Sequence, residues 1–94
     1  MAETQLQGKS LSAAARDVAD GFLFMTPLLI KRLDEGGLRA LHHQMRKLQN
    51  EVRSMRCPSH DITALRARNL RLQRLHHALI ILEHAAKQQR IRLA

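Results

Sequence analysis

Six histidines are the residues that could most readily hold a metal ion in this 94-residue chain. Four form the adjacent pairs His42–His43 and His76–His77, and the segment Cys57-Pro58-Ser59-His60 joins a thiol to an imidazole. A metal site on a helix needs ligands three or four residues apart, so that they share one face. Adjacent histidines do not share a face, and the Cys57–His60 segment offers only two ligands. We therefore predict no metal site and no bound cofactor.

Side chains suited to acid–base or nucleophilic catalysis are few. Asp34 and Glu35 are adjacent, so on a helix their carboxylates point in different directions. The sequence has no glycine-rich phosphate loop, and no Ser–His–Asp or Cys–His arrangement beyond the turn residues. We predict no catalytic residues and expect that the protein is not an enzyme.

Arginine is the abundant residue with a clear binding chemistry. Lys and Arg number 16 against 8 acidic residues, a net charge of +8, and residues 36–94 carry all of this excess. The planar guanidinium group binds phosphate or carboxylate through two parallel hydrogen bonds. No Phe, Trp or Tyr lies among the basic residues of 36–94, so base stacking is not expected and any nucleic-acid contact would be to phosphates, without sequence specificity. The candidate phosphate ligands are Arg39, Arg46, Arg53, Arg66, Arg71 and Arg74; the alternative is that they form the solvated face of two amphipathic helices.

Two helical segments must position these arginines. The first spans 38–56, where apolar residues alternate in steps of three and four, the heptad pattern of coiled-coil packing. The second spans 60–93, begins at a cap on Ser59 or Asp61, and repeats leucine every seven residues. The short turn at Cys57-Pro58 predicts that the two fold back as an antiparallel hairpin. Its core is predicted to contain Leu38, Leu41, Met45, Leu48, Val52, Leu65, Leu72, Leu75, Leu79 and Leu82.

A third helical segment precedes this hairpin, at 12–35, with Ser10 or Ser12 as its cap. Pro27 lies inside it and predicts a kink, with a full break at Thr26-Pro27 as the alternative. Gly36-Gly37 separates it from the hairpin. The chain is thus predicted to be all-α: a flexible N-terminus at 1–10, then one domain at 11–94 in which a kinked helix precedes a coiled-coil-like hairpin.

The longest apolar stretch, Phe22–Ile30, has nine residues, whereas a membrane span needs about 20. Acidic Asp17 and Asp20 precede it, where a secretory signal would be basic. We therefore predict a cytoplasmic protein without a membrane span. The single cysteine, Cys57, is interpreted as a turn residue, with an intermolecular disulfide as the alternative.

The apolar content exceeds what one hairpin can bury. Residues 78–82 place apolar side chains on nearly every side of a helix. If Leu38 pairs with Leu79, the C-terminal end of the segment 60–93 extends past the segment 38–56, which cannot cover it. This excess predicts a homodimer or higher oligomer, assembled as a dimeric helical bundle, or a protein partner. The predicted oligomer or partner surface consists of Phe22, Met25, Leu79, Ile80, Ile81 and Leu82.

These patterns together favour a non-enzymatic protein-interaction module, such as a small adaptor, chaperone or regulatory subunit, that self-associates through its helical hairpin. The alternative function is a basic accessory protein that binds nucleic-acid phosphates without sequence specificity.

Overall fold

Four helices make up most of the computed structural model, which describes residues 5–6, 9–58 and 60–93. They are α1 (Leu11–Asp20), α2 (Pro27–Ile30), α3 (Glu35–Ser54) and α4 (Ile62–Gln88), preceded by an antiparallel pair of two-residue strands, β1 (Gln5–Leu6) and β2 (Lys9–Ser10). The all-α prediction is confirmed. Within the predicted flexible N-terminus, residues 1–4 and 7–8 lie outside the described residues, and the strand pair accounts for the remainder.

Side-chain caps fix where the longer helices begin. Ser10 and Asp61, both predicted as caps, each accept a hydrogen bond from a backbone N–H in the first turn of the helix that follows. Asp34 caps α3 in the same way, with its Oδ1 2.6 Å from the backbone nitrogen of Gly37. The helix therefore starts at Glu35 rather than Leu38, and Gly36-Gly37 lies in its first turn, where a break was predicted.

The prediction of one kinked helix over 12–35 is wrong and the alternative, a full break before Pro27, is correct: α1 ends at Asp20 and α2 begins at Pro27. Gly21 follows α1 in the left-handed region, at φ +85°, and the backbone N–H of Phe22 bonds back to the Asp17 carbonyl at 2.8 Å. Pro27 then occupies the first position of α2, behind the cap residue Thr26. A proline there loses no helical hydrogen bond, whereas inside a continuous helix it would remove one.

The hairpin of α3 and α4 forms one side of the core, and α1 packs against both helices. The predicted core residues Leu38, Leu41, Met45, Val52, Leu75, Leu79 and Leu82 are all buried, and Leu48, Leu65 and Leu72 are half-buried. Three small residues of α1, Ala14, Ala15 and Ala19, are also buried, so the α1 backbone can approach the hairpin closely. One chain thus covers its own heptad seam.

The hairpin register differs from the predicted one. Pairing Leu38 with Leu79 would place His42 near Leu75, but the His42 ring contacts Glu83, about two turns further along α4. Arg39 likewise reaches the backbone carbonyl of Arg92, at 2.7 Å. The end of α4 that extends past α3 is therefore its first turns rather than its last.

Helix α4 ends at Gln88, five residues before the predicted position, in a second left-handed turn. Arg90 has a φ of +59°, and the backbone N–H of Ile91 bonds to the Ala86 carbonyl at 2.8 Å. This is the Schellman arrangement, in which the residue after the left-handed one folds back onto the helix. Ile91 and Leu93 accordingly pack against the core.

Candidate functional site

The chain has only two aromatic side chains, and both are exposed. Phe22 is 79% exposed and Phe24 76%, and Leu28 on α2 is 77% exposed. Large apolar side chains of this kind normally supply much of a small core. Three of them lie within seven residues of sequence, and we call these three exposed side chains the 22–28 surface.

Local backbone geometry explains this exposure. In a Schellman turn the residue after the left-handed position usually packs back onto the helix, as Ile91 does after Arg90, but Phe22, which follows Gly21, points into solvent instead. In α2, a single turn buries Leu29 and Ile30 against the core. One turn cannot bury three consecutive apolar residues, so Leu28 faces outward.

A shallow groove adjoins the 22–28 surface, with a volume of about 150 Å³. It lies between the segment that follows α1 and the middle of α4, and most of its lining is apolar. Its lining residues are Val18, Leu23, Phe24, Met25, Arg74, His77, Ala78 and Ile81. Phe24 therefore belongs both to the exposed surface and to the groove wall, a geometry that could hold an apolar side chain of a second protein.

The predicted oligomer or partner surface agrees with the structure at only some of its positions. Phe22, Ile80 and Ile81 are exposed, as a contact surface requires, although their role in binding stays a prediction. The remaining three predicted residues, Met25, Leu79 and Leu82, are buried in the core, with exposures of 5%, 2% and 0%.

The surface positions at Phe24 and Leu28 were missed. The spacing of four, three and four between Val18, Phe22, Met25 and Leu29 fits one face of a continuous helix. This pattern therefore predicted a helix across the segment where the structure has a break. Gly21 followed by Thr26-Pro27 was the available signal for a helix end and a new helix start.

Two of the candidate phosphate ligands bind the end of α1 instead. Nε and Nη2 of Arg71 lie 3.0 and 2.7 Å from Oδ1 of Asp20, and Nη1 of Arg74 lies 3.2 Å from the Ala19 carbonyl oxygen. The last turn of α1 contains no basic residue of its own. These two arginines therefore supply the positive charge that favours a helix C-terminus, and they fix α1 onto α4.

Arg39 and Arg46 are half-exposed and also have acidic partners. Arg39 contacts Glu35 at 2.7 Å and Arg46 contacts Glu83 at 3.0 Å. Because these pairs are exposed, each contributes little to stability and can exchange for another anion. Arg53 and Arg66 are exposed and form no ion pair with any residue that the structure describes. The six candidates therefore do not form one uniform phosphate-binding face.

The histidines do not converge. His42 is buried beside Glu83, with its Nε2 3.2 Å from Oε2, whereas His77 lines the groove on α4. Among residues 5–6, 9–58 and 60–93, no group of three or more His, Cys, Asp or Glu side chains could hold a metal ion. Cys57 is a free, partly buried thiol at the turn between α3 and α4.

None of the described helices combines the length and the apolar character needed to cross a bilayer. Comparison with protein-family models, with characterised proteins and with solved structures finds no match to this chain.

Proposed function

We propose that this protein is a non-enzymatic interaction module that forms a homodimer through the 22–28 surface. The observation that carries the proposal is the exposure of both aromatic side chains, next to an apolar groove on the same chain. A two-fold dimer needs a self-complementary surface, and a projecting aromatic residue beside a groove meets that requirement.

The two phenylalanines would supply about half the area of the smallest stable interface. The two phenylalanines alone expose roughly 300 Å² per chain, if each ring presents about 200 Å² when fully exposed. Two copies would bury roughly 600 Å² from these rings, and Leu28 and Ile81 would add to it. Stable interfaces bury about 1,200–2,000 Å² in total, with aromatic side chains at their centre. The heptad seam is covered within one chain, so the dimer contact is assigned to the 22–28 surface rather than to the seam.

Sedimentation equilibrium tests the proposal. We expect the wild-type protein at about 50 μM to sediment with twice the chain mass of 10.8 kDa. The double variant Phe22→Gln/Phe24→Gln should sediment as a monomer and keep its helical circular dichroism, because both side chains are exposed.

The matched control is Ile62→Gln/Leu70→Gln, which removes two other exposed apolar side chains, 59% and 44% exposed, from the first turns of α4. This control should remain dimeric. A monomeric wild-type protein at 50 μM, or equal dissociation of both double variants, would contradict the proposed dimer surface.

A second candidate function is binding to nucleic-acid phosphates. The observation in its favour is that Arg53 and Arg66 are exposed without a described acidic partner, on a chain with a net charge of +8. Binding to a random-sequence duplex should then weaken steeply with salt, because each phosphate contact releases counterions. The double variant Arg53→Gln/Arg66→Gln should make the slope of log affinity against log salt shallower by about 1.8, the value for two lost phosphate contacts. If the wild-type protein does not bind the duplex at 50 mM salt, this function is excluded.

A further inference from the structure

A second cavity lies in the turn between α3 and α4, and it shares no lining residue with the groove beside the 22–28 surface. The extended residues after α3 run alongside the first turns of α4 and leave a space of about 330 Å³. This is near the lower end of the range for small-molecule sites, about 300–1,000 Å³. The lining residues are Met55, Arg56, Cys57, Pro58, Ala64, Ala67, Arg68 and Arg71.

The floor of this turn cavity is apolar. Met55 and Pro58 come from the connecting segment, and Ala64 and Ala67 come from adjacent turns of α4. Small alanine side chains create the space, since a larger residue at either helix position would occupy it. Met55 is 49% exposed and contributes a flexible thioether side chain to the lining. Such a floor suits an alkyl chain better than a polar ligand.

The charge around the cavity is of one sign. Among the lining residues that the structure describes, three are arginines and none is acidic. Arg71 is paired with Asp20, whereas Arg56 and Arg68 have no acidic partner among the residues that the structure describes. Arg68 donates from Nη1 to the Met55 carbonyl at 3.3 Å, while its Nε is buried and has no hydrogen-bond partner in the described structure. A buried donor without an acceptor is unfavourable, and a ligand anion reached by a small rotation of the guanidinium group would satisfy it.

We propose that the turn cavity binds a single-chain anionic amphiphile, with its alkyl chain over Ala64 and Ala67 and its anionic head group at Arg56 and Arg68. The apolar floor distinguishes this ligand from a free phosphate or a nucleic-acid backbone, which would gain nothing from the alanines and methionine. The site does not depend on dimerisation, because it shares no residue with the 22–28 surface or its groove.

Cys57 allows a direct test, because the only thiol of the chain lines the cavity. The probes are decanoate below its critical micelle concentration, decyltrimethylammonium as the cationic control with the same chain length, and inorganic phosphate as the head-group control. We expect saturating decanoate to slow alkylation of Cys57 by iodoacetamide at least ten-fold, while neither control slows it. In calorimetry, affinity should rise about four-fold per methylene from hexanoate to decanoate, as expected for alkyl burial.

Matched variants separate the head-group contact from general charge. Arg68→Gln should weaken decanoate binding about ten-fold or more, because a charge-assisted hydrogen bond is lost. Arg66→Gln removes the same charge from the same helix outside the cavity and should change affinity less than two-fold. Ala64→Leu should abolish binding by filling the space, with little effect on helix propensity.

The proposal is overturned if decanoate gives no protection of Cys57 in the wild-type protein. It is also overturned if decyltrimethylammonium or phosphate protects equally, or if Arg66→Gln and Arg68→Gln weaken binding to the same extent. The wild-type comparison among probes needs no variant to fold. A monomeric wild-type protein that still binds decanoate would contradict only the dimer, so the two proposals fail separately.

Discussion

Gly21→Ala should destabilise the protein through two separable effects. Gly21 has a φ of +85°, a conformation that an L-residue with a side chain adopts only at a cost. A Cβ placed there would lie 2.9 Å from Cζ of Arg74 and 3.1 Å from its Nη2. The guanidinium group would have to move, and it would then lose its hydrogen bond to the Ala19 carbonyl.

The magnitude follows from these two effects. The left-handed backbone conformation of an alanine lowers the free energy of unfolding by about 1–2 kcal/mol. The smaller entropy of the unfolded chain offsets up to about 1 kcal/mol of this, so the net loss is about 1 kcal/mol. The Arg74 hydrogen bond is partly buried and 3.2 Å long, so its loss adds about 1 kcal/mol. Gly21→Ala should therefore lower the free energy of unfolding by about 2 kcal/mol, which shifts the Tm of a domain of this size by about 10 °C.

A double-mutant cycle with Arg74→Met isolates the contact. Methionine keeps a long apolar side chain but has no donor, so Gly21→Ala should cost only about 1 kcal/mol in that background. The assay is urea denaturation followed by circular dichroism at one fixed protein concentration, because dimerisation would shift apparent stability. A coupling energy near zero would refute the contact and make Arg74 available for phosphate binding.

Two further predictions concern the end of α4 and the core. Arg90→Gly should stabilise the protein by about 1 kcal/mol, because Arg90 occupies the left-handed position at φ +59°; Gln89→Gly, at φ −88°, should not, and the Tm measures both. Leu79→Asp should abolish the folded circular dichroism, because it buries an unpaired carboxylate at a site 2% exposed, whereas Ile80→Asp, 51% exposed, should leave the spectrum intact. A folded Leu79→Asp protein would contradict the assigned core.

The hairpin core was predictable because its signal is periodic. One helical face carries Leu38, Leu41, Met45 and Val52. This apolar face is buried regardless of which helix packs against it. The register was not predictable from the same pattern, because a heptad repeat fits equally well after a shift of one heptad. The extended segment after Ser54 lies against the first turns of α4. Helix α3 therefore contacts α4 closer to the C-terminal end of α4 than the predicted pairing required.

The roles of the arginines could not be read from their number or spacing. Arg71 and Arg74 lie off the leucine seam, which suggested a solvated or phosphate-binding face. Their partners, Asp20 and the Ala19 carbonyl, are more than 50 residues earlier in the chain. The helix end at Gly21 leaves the Ala19 carbonyl free to accept from Arg74, and the sequence prediction had continued the helix through this position.

The same break explains why apolar surface remains outside the core. A continuous helix over 12–35 would have carried Val18, Phe22 and Met25 on one face toward the hairpin. Since the helix ends at Gly21, Val18 and Met25 still reach the core, but Phe22 lies in the turn and points into solvent. Apolar side chains therefore remain exposed at the helix break as well as along α4, and the three most exposed of them, Phe22, Phe24 and Leu28, all lie at the break.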